Sequence, residues 1–201
     1  MTLHKSAPIS RTRRSRIGGF SMVELAISMT VLLILTAIAI PSLMRSFRTY
    51  QLNDAASRLS DMLKFTRFEA VRRNKPINFL MQASGTGWLV GADSNNNGLI
   101  DAIEKQQLIS GVVTLLPAGA PPSSSSILAK LGATGSLTTV SGTAGTVTFD
   151  ARGAVSPLGA YVFYVGSATN PEFGYRAVIL LPSGATQIWT APLGGPWQRV
   201  G

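Results

Sequence analysis

Phe20 to Met44 is a run of 25 residues whose only charge is Glu24. As an α-helix it spans about 37 Å at ~1.5 Å per residue, enough to cross a bilayer. The residues before it read RTRRSRIGG. Basic flanks tend to stay cytoplasmic, which keeps that end inside and sends the C-terminal bulk across the membrane. No Ala-x-Ala-like cleavage site follows Ile40, and the chain runs straight into a polar helix. The apolar segment is therefore expected to stay on the mature protein, unlike a secretory signal.

Charge follows the same division. The chain has 201 residues and a formal net charge of +9. An excess of that size raises nucleic acid or an anionic membrane as a partner. Residues 1–19 hold Lys5, Arg11, Arg13, Arg14 and Arg16 and no acid. Residues 45–75 hold eight basic and three acidic residues, whereas residues 76–201 hold five of each. The excess thus sits in the N-terminal third, and most of it reads as a topology signal. Cys is absent and His4 is the only histidine. Disulfides, thiol catalysis and Cys-zinc sites are excluded, and without the first 19 residues so are His-based triads and metal sites. No carboxylates pair at a spacing that suggests catalysis, so an enzyme is not expected.

Glu24 is the informative residue of the span. A carboxylate in a membrane costs about 2.5–3.5 kcal/mol at the centre and less near the interface. Nothing basic within the span pairs with it, and snorkelling to the interface is the simpler alternative. Its context is specific. Gly18-Gly19-Phe20-Ser21-Met22-Val23-Glu24-Leu25 resembles the class III signal of type IV pilins and type II secretion pseudopilins. In that pattern a basic leader ends in Gly, Phe follows, and Glu stands fifth from the Phe. The resemblance implies a prepilin peptidase that cuts after Gly19 on the cytoplasmic face and N-methylates Phe20. It also implies that the Phe20 ammonium pairs with Glu24 between neighbouring subunits of a filament. Many members carry a proline where Pro41 stands. It removes a backbone donor and crowds the carbonyl four residues earlier, so a kink or unwinding is expected near Ala37–Pro41.

Residues 45–75 continue as an amphipathic helix. Leu52, Ala56, Leu59, Leu63, Thr66 and Ala70 recur at spacings of three and four, flanked by Ala55 and Met62, and this stripe is expected to pack on a sheet. Arg58 and Asp61 are spaced for an ion pair. Asn74 and Pro76 are the stop signal. Residues 76–201 read as a β-rich head with strands at Ile77–Gln82, Gly87–Ala92, Gln107–Leu116, Gly145–Asp150, Ala160–Gly166, Tyr175–Leu181 and Thr186–Thr190. Ser183-Gly184 is read as a hairpin turn. Residues 117–145 contain 18 Gly, Pro, Ser and Thr among 29 and one charge, Lys130, the composition of a flexible loop.

Three phrases of the head, FEAVRRNKPI (68–77), TVTFDARGAVSP (146–157) and YRAVILLPSG (175–184), resemble the GspH/FimT branch of minor pilins and pseudopilins. The fold expected is α+β: one long N-terminal helix, half in the membrane and half packed on a C-terminal antiparallel sheet. The function implied is that of a minor subunit at or near the tip of a type II secretion pseudopilus or type IV pilus. The partners implied are other pilins or pseudopilins, the prepilin peptidase and an inner-membrane assembly platform. The location implied is a single-pass inner-membrane protein with a periplasmic head before assembly.

Two further features of the head bear on ligands. Asp93 to Glu104, DSNNNGLIDAIE, fits the twelve-residue calcium-loop pattern, with Asp93, Asn95, Asn97, Asp101 and Glu104 as oxygen ligands and Gly98 at the sharp turn. A strand precedes it where that motif has a helix. The competing reading is a strand connection whose Asp and Asn side chains bond their own backbone. No cofactor is required by either. The other feature is Trp197 with Arg199, which could stack on a base and contact a phosphate in a DNA-uptake subunit. One ring and one cation are slender for that, and Trp197 is expected on the sheet, with nucleic acid not a partner.

Overall fold

In a computed structural model of the chain, residues 19–85, 87–110, 113–116, 119–132, 135–140 and 144–200 are described. The leader expected over residues 1–19 lies outside them except for Gly19. The chain divides into two compact units between Ser42 and Leu43. Helix α1, Met22–Arg73, is assigned through that division without a break. The unwinding expected near Ala37–Pro41 is therefore not found, and Pro41 sits inside the helix.

In the first unit every described residue is exposed. Its hydroxyls do not need water. Ser28 Oγ donates to the Glu24 carbonyl at 2.7 Å, Thr30 to Ala26 at 2.8 Å and Thr36 to Leu32 at 2.7 Å. Each of these three hydroxyls is satisfied within its own helix, the condition a hydrocarbon environment imposes.

In the second unit the helical stripe is buried as the periodicity predicts: Leu52, Ala55, Ala56, Leu59, Met62, Leu63, Thr66 and Ala70. Burying a leucine such as Leu59 contributes about 1.5–3 kcal/mol. The surface ion pairs differ from expectation. Arg58 pairs with Asp54 one turn back at 2.8 Å, and Asp61 pairs with Lys64 at 3.4 Å. The helix stops where expected. Asn74 is left-handed at φ 50°, and Lys75 N–H returns to the Ala70 carbonyl at 3.2 Å, closing the last turn.

The head is two sheets. The first has β1 (Ile77–Ser84), β2 (Gly87–Asp93), β3 (Gln106–Ile109), β6 (Ala144–Phe149) and β7 (Val155–Ser156) in the order β3-β2-β1-β6-β7. The second has β4 (Thr114–Leu116), β8 (Tyr161–Gly166), β9 (Tyr175–Leu180), β10 (Thr186–Ala191) and β11 (Gln198–Val200) in the order β11-β10-β9-β8-β4. β5 (Thr138–Thr139) joins the outer edge of β8 in parallel beside β4, and every other pairing is antiparallel. The run 107–116, read as one strand, is thus two strands in different sheets, β3 on β2 and β4 on β8.

The second sheet is buried on both faces, which explains why β9 reads as an unbroken apolar run apart from Arg176. One face, with Phe163, Val165, Val178 and Leu180, meets the α1 stripe and the first sheet in the larger core. Phe79 and Phe163 join the two sheets there edge to face at 5.8 Å. The other face, with Val162, Tyr164, Ile179 and Trp189, forms a second core with Ile127 and Trp197. Ile127 belongs to helix α2 (Ser125–Leu131), inside the segment read as a flexible loop. That reading is corrected for the described part of 117–145. Ile127 is fully buried and Leu131 and Leu137 pack on the same core. Gly132 ends α2 at φ 63°, and Lys130 Nζ donates to the Trp197 carbonyl at 2.9 Å.

Three polar ties run along α1. Arg176 Nε donates to Asn53 Oδ1 at 2.6 Å, the Ser60 and Thr186 hydroxyls meet at 2.9 Å, and Arg67 Nε donates to the Gly153 carbonyl at 3.0 Å. At the last of these the Asp150–Gly153 turn, the Ser183-Gly184 turn and the helix come together. Gly184 has φ 79°, and a Cβ there would lie 2.1 Å from the Gly153 carbonyl oxygen and 2.8 Å from Arg67 Nε. Gly98, at φ 80°, has open space around it. Gly184→Ala is expected to lower the melting temperature markedly, because left-handed strain of about 1–2 kcal/mol is joined by a backbone clash. Gly98→Ala is expected to cost the strain alone, and parallel thermal melts of the two variants measure the difference.

Candidate assembly site

Gly19 and Phe20 precede α1 and are exposed. Ser21 Oγ accepts from the Val23 N–H at 3.2 Å and starts the helix. Glu24 lies in the first turn, where the N–H groups favour a carboxylate. Its neighbours Met22, Val23, Leu25 and Ile27 are all exposed, and among the described residues no cation lies within ion-pair distance of it. The surface from Met22 to Ser42 is apolar, uncovered and marked by one acid at its beginning.

The 93–104 loop is held by its own backbone. Asp93 is fully buried, and its carboxylate accepts from Asn97 N–H at 3.1 Å and Gly98 N–H at 2.9 Å. Glu104, also buried, accepts from Ser94 N–H at 2.6 Å and Ser94 Oγ at 2.9 Å through one oxygen, and from Asp101 N–H at 3.1 Å through the other. Asp101 accepts from the Asn95 and Asn97 amides at 2.8 and 2.9 Å. Lys75 Nζ donates to the Ser94 carbonyl at 2.7 Å and Asn96 Nδ2 to the Pro76 carbonyl at 3.0 Å, fastening the loop to the end of α1. Among the described residues no three His, Cys, Asp or Glu side chains are grouped to hold a metal ion. A cation here would draw on the Asn95 and Asn97 amides and would share Asp93 and Glu104 with the N–H groups they accept from.

Trp197 is fully buried; its Nε1–H donates to the Pro122 carbonyl at 3.1 Å and its ring lies 5.7 Å from that of Tyr164. The ring packs on the sheet and offers no face to a base. Arg199 is exposed on β11.

Sequence reasoning overlooked Glu69. It is buried at the end of α1 and takes two hydrogen bonds from Arg72, at 2.9 and 2.6 Å, and one from Arg73 Nε. The Arg72 hydrogen bonds, opposed by burial and helped by Arg73, hold its carboxyl at about 2, below the usual 4.5. The i,i+3 and i,i+4 spacing was the available signal. A carboxyl with a lowered folded-state pKa stabilises above the unfolded value and loses that effect as pH falls through the folded one. Glu69→Gln is therefore expected to flatten the decline of the melting temperature between pH 4.5 and about 2, read from melts at stepped pH.

A family model described as Type II transport protein GspH matches residues 55–184, from the buried stripe of α1 to the Ser183-Gly184 turn. No curated protein matches. Two crystal structures of the type IV minor pilin FimU of Pseudomonas aeruginosa (strain PAO1) are similar. The one in space group P65 is 19% identical, with 68% of this chain and 91% of that chain covered and a TM-score of 0.47. The one in P21 is 19% identical, with 69% and 88% covered and a TM-score of 0.48. With the family match running over more than half of its length, the chain belongs to the GspH family, structural subunits of the type IV pilin and pseudopilin kind and not enzymes.

Proposed function

We propose that this chain is a minor pseudopilin or pilin, cut after Gly19 by a prepilin peptidase, N-methylated on Phe20, and built in at or near the tip of a type II secretion pseudopilus or type IV pilus. Before assembly it spans the inner membrane once, with its N-terminus cytoplasmic and its head periplasmic. The observation that carries this reading is the apolar surface of α1 from Met22 to Ser42, exposed throughout and bearing one carboxylate. Lipid covers that surface first, and the helices of neighbouring subunits, passed on by the assembly platform, cover it afterwards. Among those helices Glu24 needs a cation, and the Phe20 ammonium freed by the cut is the one that stands at the right depth. The pair fixes the axial step between subunits.

Glu24→Ala is expected to abolish incorporation into filaments while the variant is still cut and still fractionates with the membrane. Immunoblots of sheared filaments and of membranes read both. Unchanged filaments and secretion in this variant would remove the register role. Intact mass of the mature chain is expected to begin at Phe20 with one added methyl group.

The Asp93–Glu104 loop works in this reading as a metal-free turn, because backbone N–H groups already engage its two buried carboxylates. Millimolar calcium is expected to leave the melting temperature unchanged. An upward shift that Asp101→Asn cancels would assign the loop a cation instead.

A further inference from the structure

The helix leaves its apolar run at Met44 and continues as Arg45-Ser46-Phe47-Arg48-Thr49-Tyr50. Arg45 and Arg48 fall on the same helical face as Leu52 and Ala55, at steps of three, four and three. That face carries the head from Leu52 onward, so the two arginines extend the stripe past the head toward the apolar run. Arg45 is exposed, and Arg48 is half-buried with Nη1 on Gln51 Oε1 at 3.2 Å. Among the described residues neither has a carboxylate within ion-pair distance, and the next acid along the helix, Asp54, is taken by Arg58. Phe47 and Tyr50 lie on the remaining surface at 58% and 68% exposure, with no core to enter.

The head adds a third cation at this end. The bond from Arg176 to Asn53 puts the start of β9 near the beginning of the packed stripe, whereas the Arg67–Gly153 tie and the Gly184 turn lie fourteen residues further along α1. At ~1.5 Å per residue that is about 21 Å further from Met44. Arg176 is buried at 7% exposure and is bonded to Asn53 and to its neighbour's carbonyl, with no acid. Arg45 and Arg48 lie within about 6 Å of Met44 along the axis, so their side chains reach the depth of lipid headgroups. Cations flanked by aromatic rings at the end of an apolar helix are the composition of a membrane–water boundary.

We propose that Arg45 and Arg48, with Phe47 and Tyr50 beside them, form a collar that binds the phosphates of anionic phospholipids where α1 leaves the bilayer. The collar holds the head at a fixed height over the membrane until the subunit is extracted. It rests on the membrane insertion proposed above, and its test separates the two. The chain from Phe20 onward, without the basic residues 1–19, is reconstituted in nanodiscs of phosphatidylglycerol and phosphatidylcholine, and native mass spectrometry counts the lipids that stay bound. Phosphatidylglycerol is expected to be retained preferentially. Arg45→Gln and Arg48→Gln are each expected to cut the preference about fivefold, and the double variant to approach parity. Lys64→Gln, on the exposed helix well beyond the collar, is expected to leave it unchanged. No preference in the unsubstituted chain, or an equal loss with Lys64→Gln, would overturn the collar while insertion stands. Failure of the chain to enter nanodiscs of either lipid would overturn both.

Discussion

Everything in this molecule answers to apolar surface that the chain itself leaves bare. From Met22 to Ser42 the helix is exposed on all sides, and its hydroxyls bond back to their own carbonyls. Such a surface is stable only in lipid or among other helices like it. The second half of the same helix faces the opposite problem and solves it locally, by pressing one stripe into the head. One continuous helix therefore carries two kinds of surface, and the two compact units of the chain divide at Ser42–Leu43. The positive charge of residues 1–19 precedes the first kind of surface in the sequence. The neutral head belongs to the second.

A head that must keep its place on a helix needs more than an apolar seam, because apolar contacts do not fix sliding. The three polar ties at Asn53, Ser60 and Arg67 supply that register. They recur every seven residues, two turns of helix, so they lie on one side of it. The tie at Arg67 is also sterically close, since Gly184 leaves no room for a side chain and Gly153 little. Two of the three family-like phrases, with the turns at Asp150–Gly153 and Ser183-Gly184, meet at this point, and the third supplies Glu69 and its arginines one turn on.

The elements legible in the sequence were those governed by one period over many residues. The α1 stripe, its stop at Asn74 and the strands at Ile77, Gly87, Tyr161, Tyr175 and Thr186 all fall in that class. Misreadings came where local and averaged signals disagree. Residues 107–116 are uniformly β-like, and only Gly111 hinted that the chain changes sheets. Residues 117–145 average to a loop, yet Ile127 and Leu131, one helical turn apart, were enough to seat α2 on a core made by residues far along the chain. Two-residue strands such as β5 and β7 exist only because an edge is waiting for them. Gly19, Phe20 and Glu24 stand out in the sequence by their spacing alone, and the structure adds that they lie exposed at the start of α1. The Glu69 cluster was hidden among ordinary helix-surface charges.

The Asp93–Glu104 loop explains why a ligand pattern underdetermines its ligand. Short acids and amides on alternate positions bring many oxygens into a small turn, and a cation is one way to satisfy them. Backbone N–H groups in the same turn are another, and the left-handed Asn96 and Gly98 aim them inward. Asp93 has no exposure at all, so its charge must be met by something. Two N–H groups meet it, and three donors meet Glu104 on its first oxygen alone. Lys75 and Asn96 then tie the loop to the end of α1, so the oxygens are fixed before any ion arrives. In such a turn the hydrogen bonds hold the carboxylates with or without an ion, and the same twelve residues that spell a calcium site also tie helix to sheet.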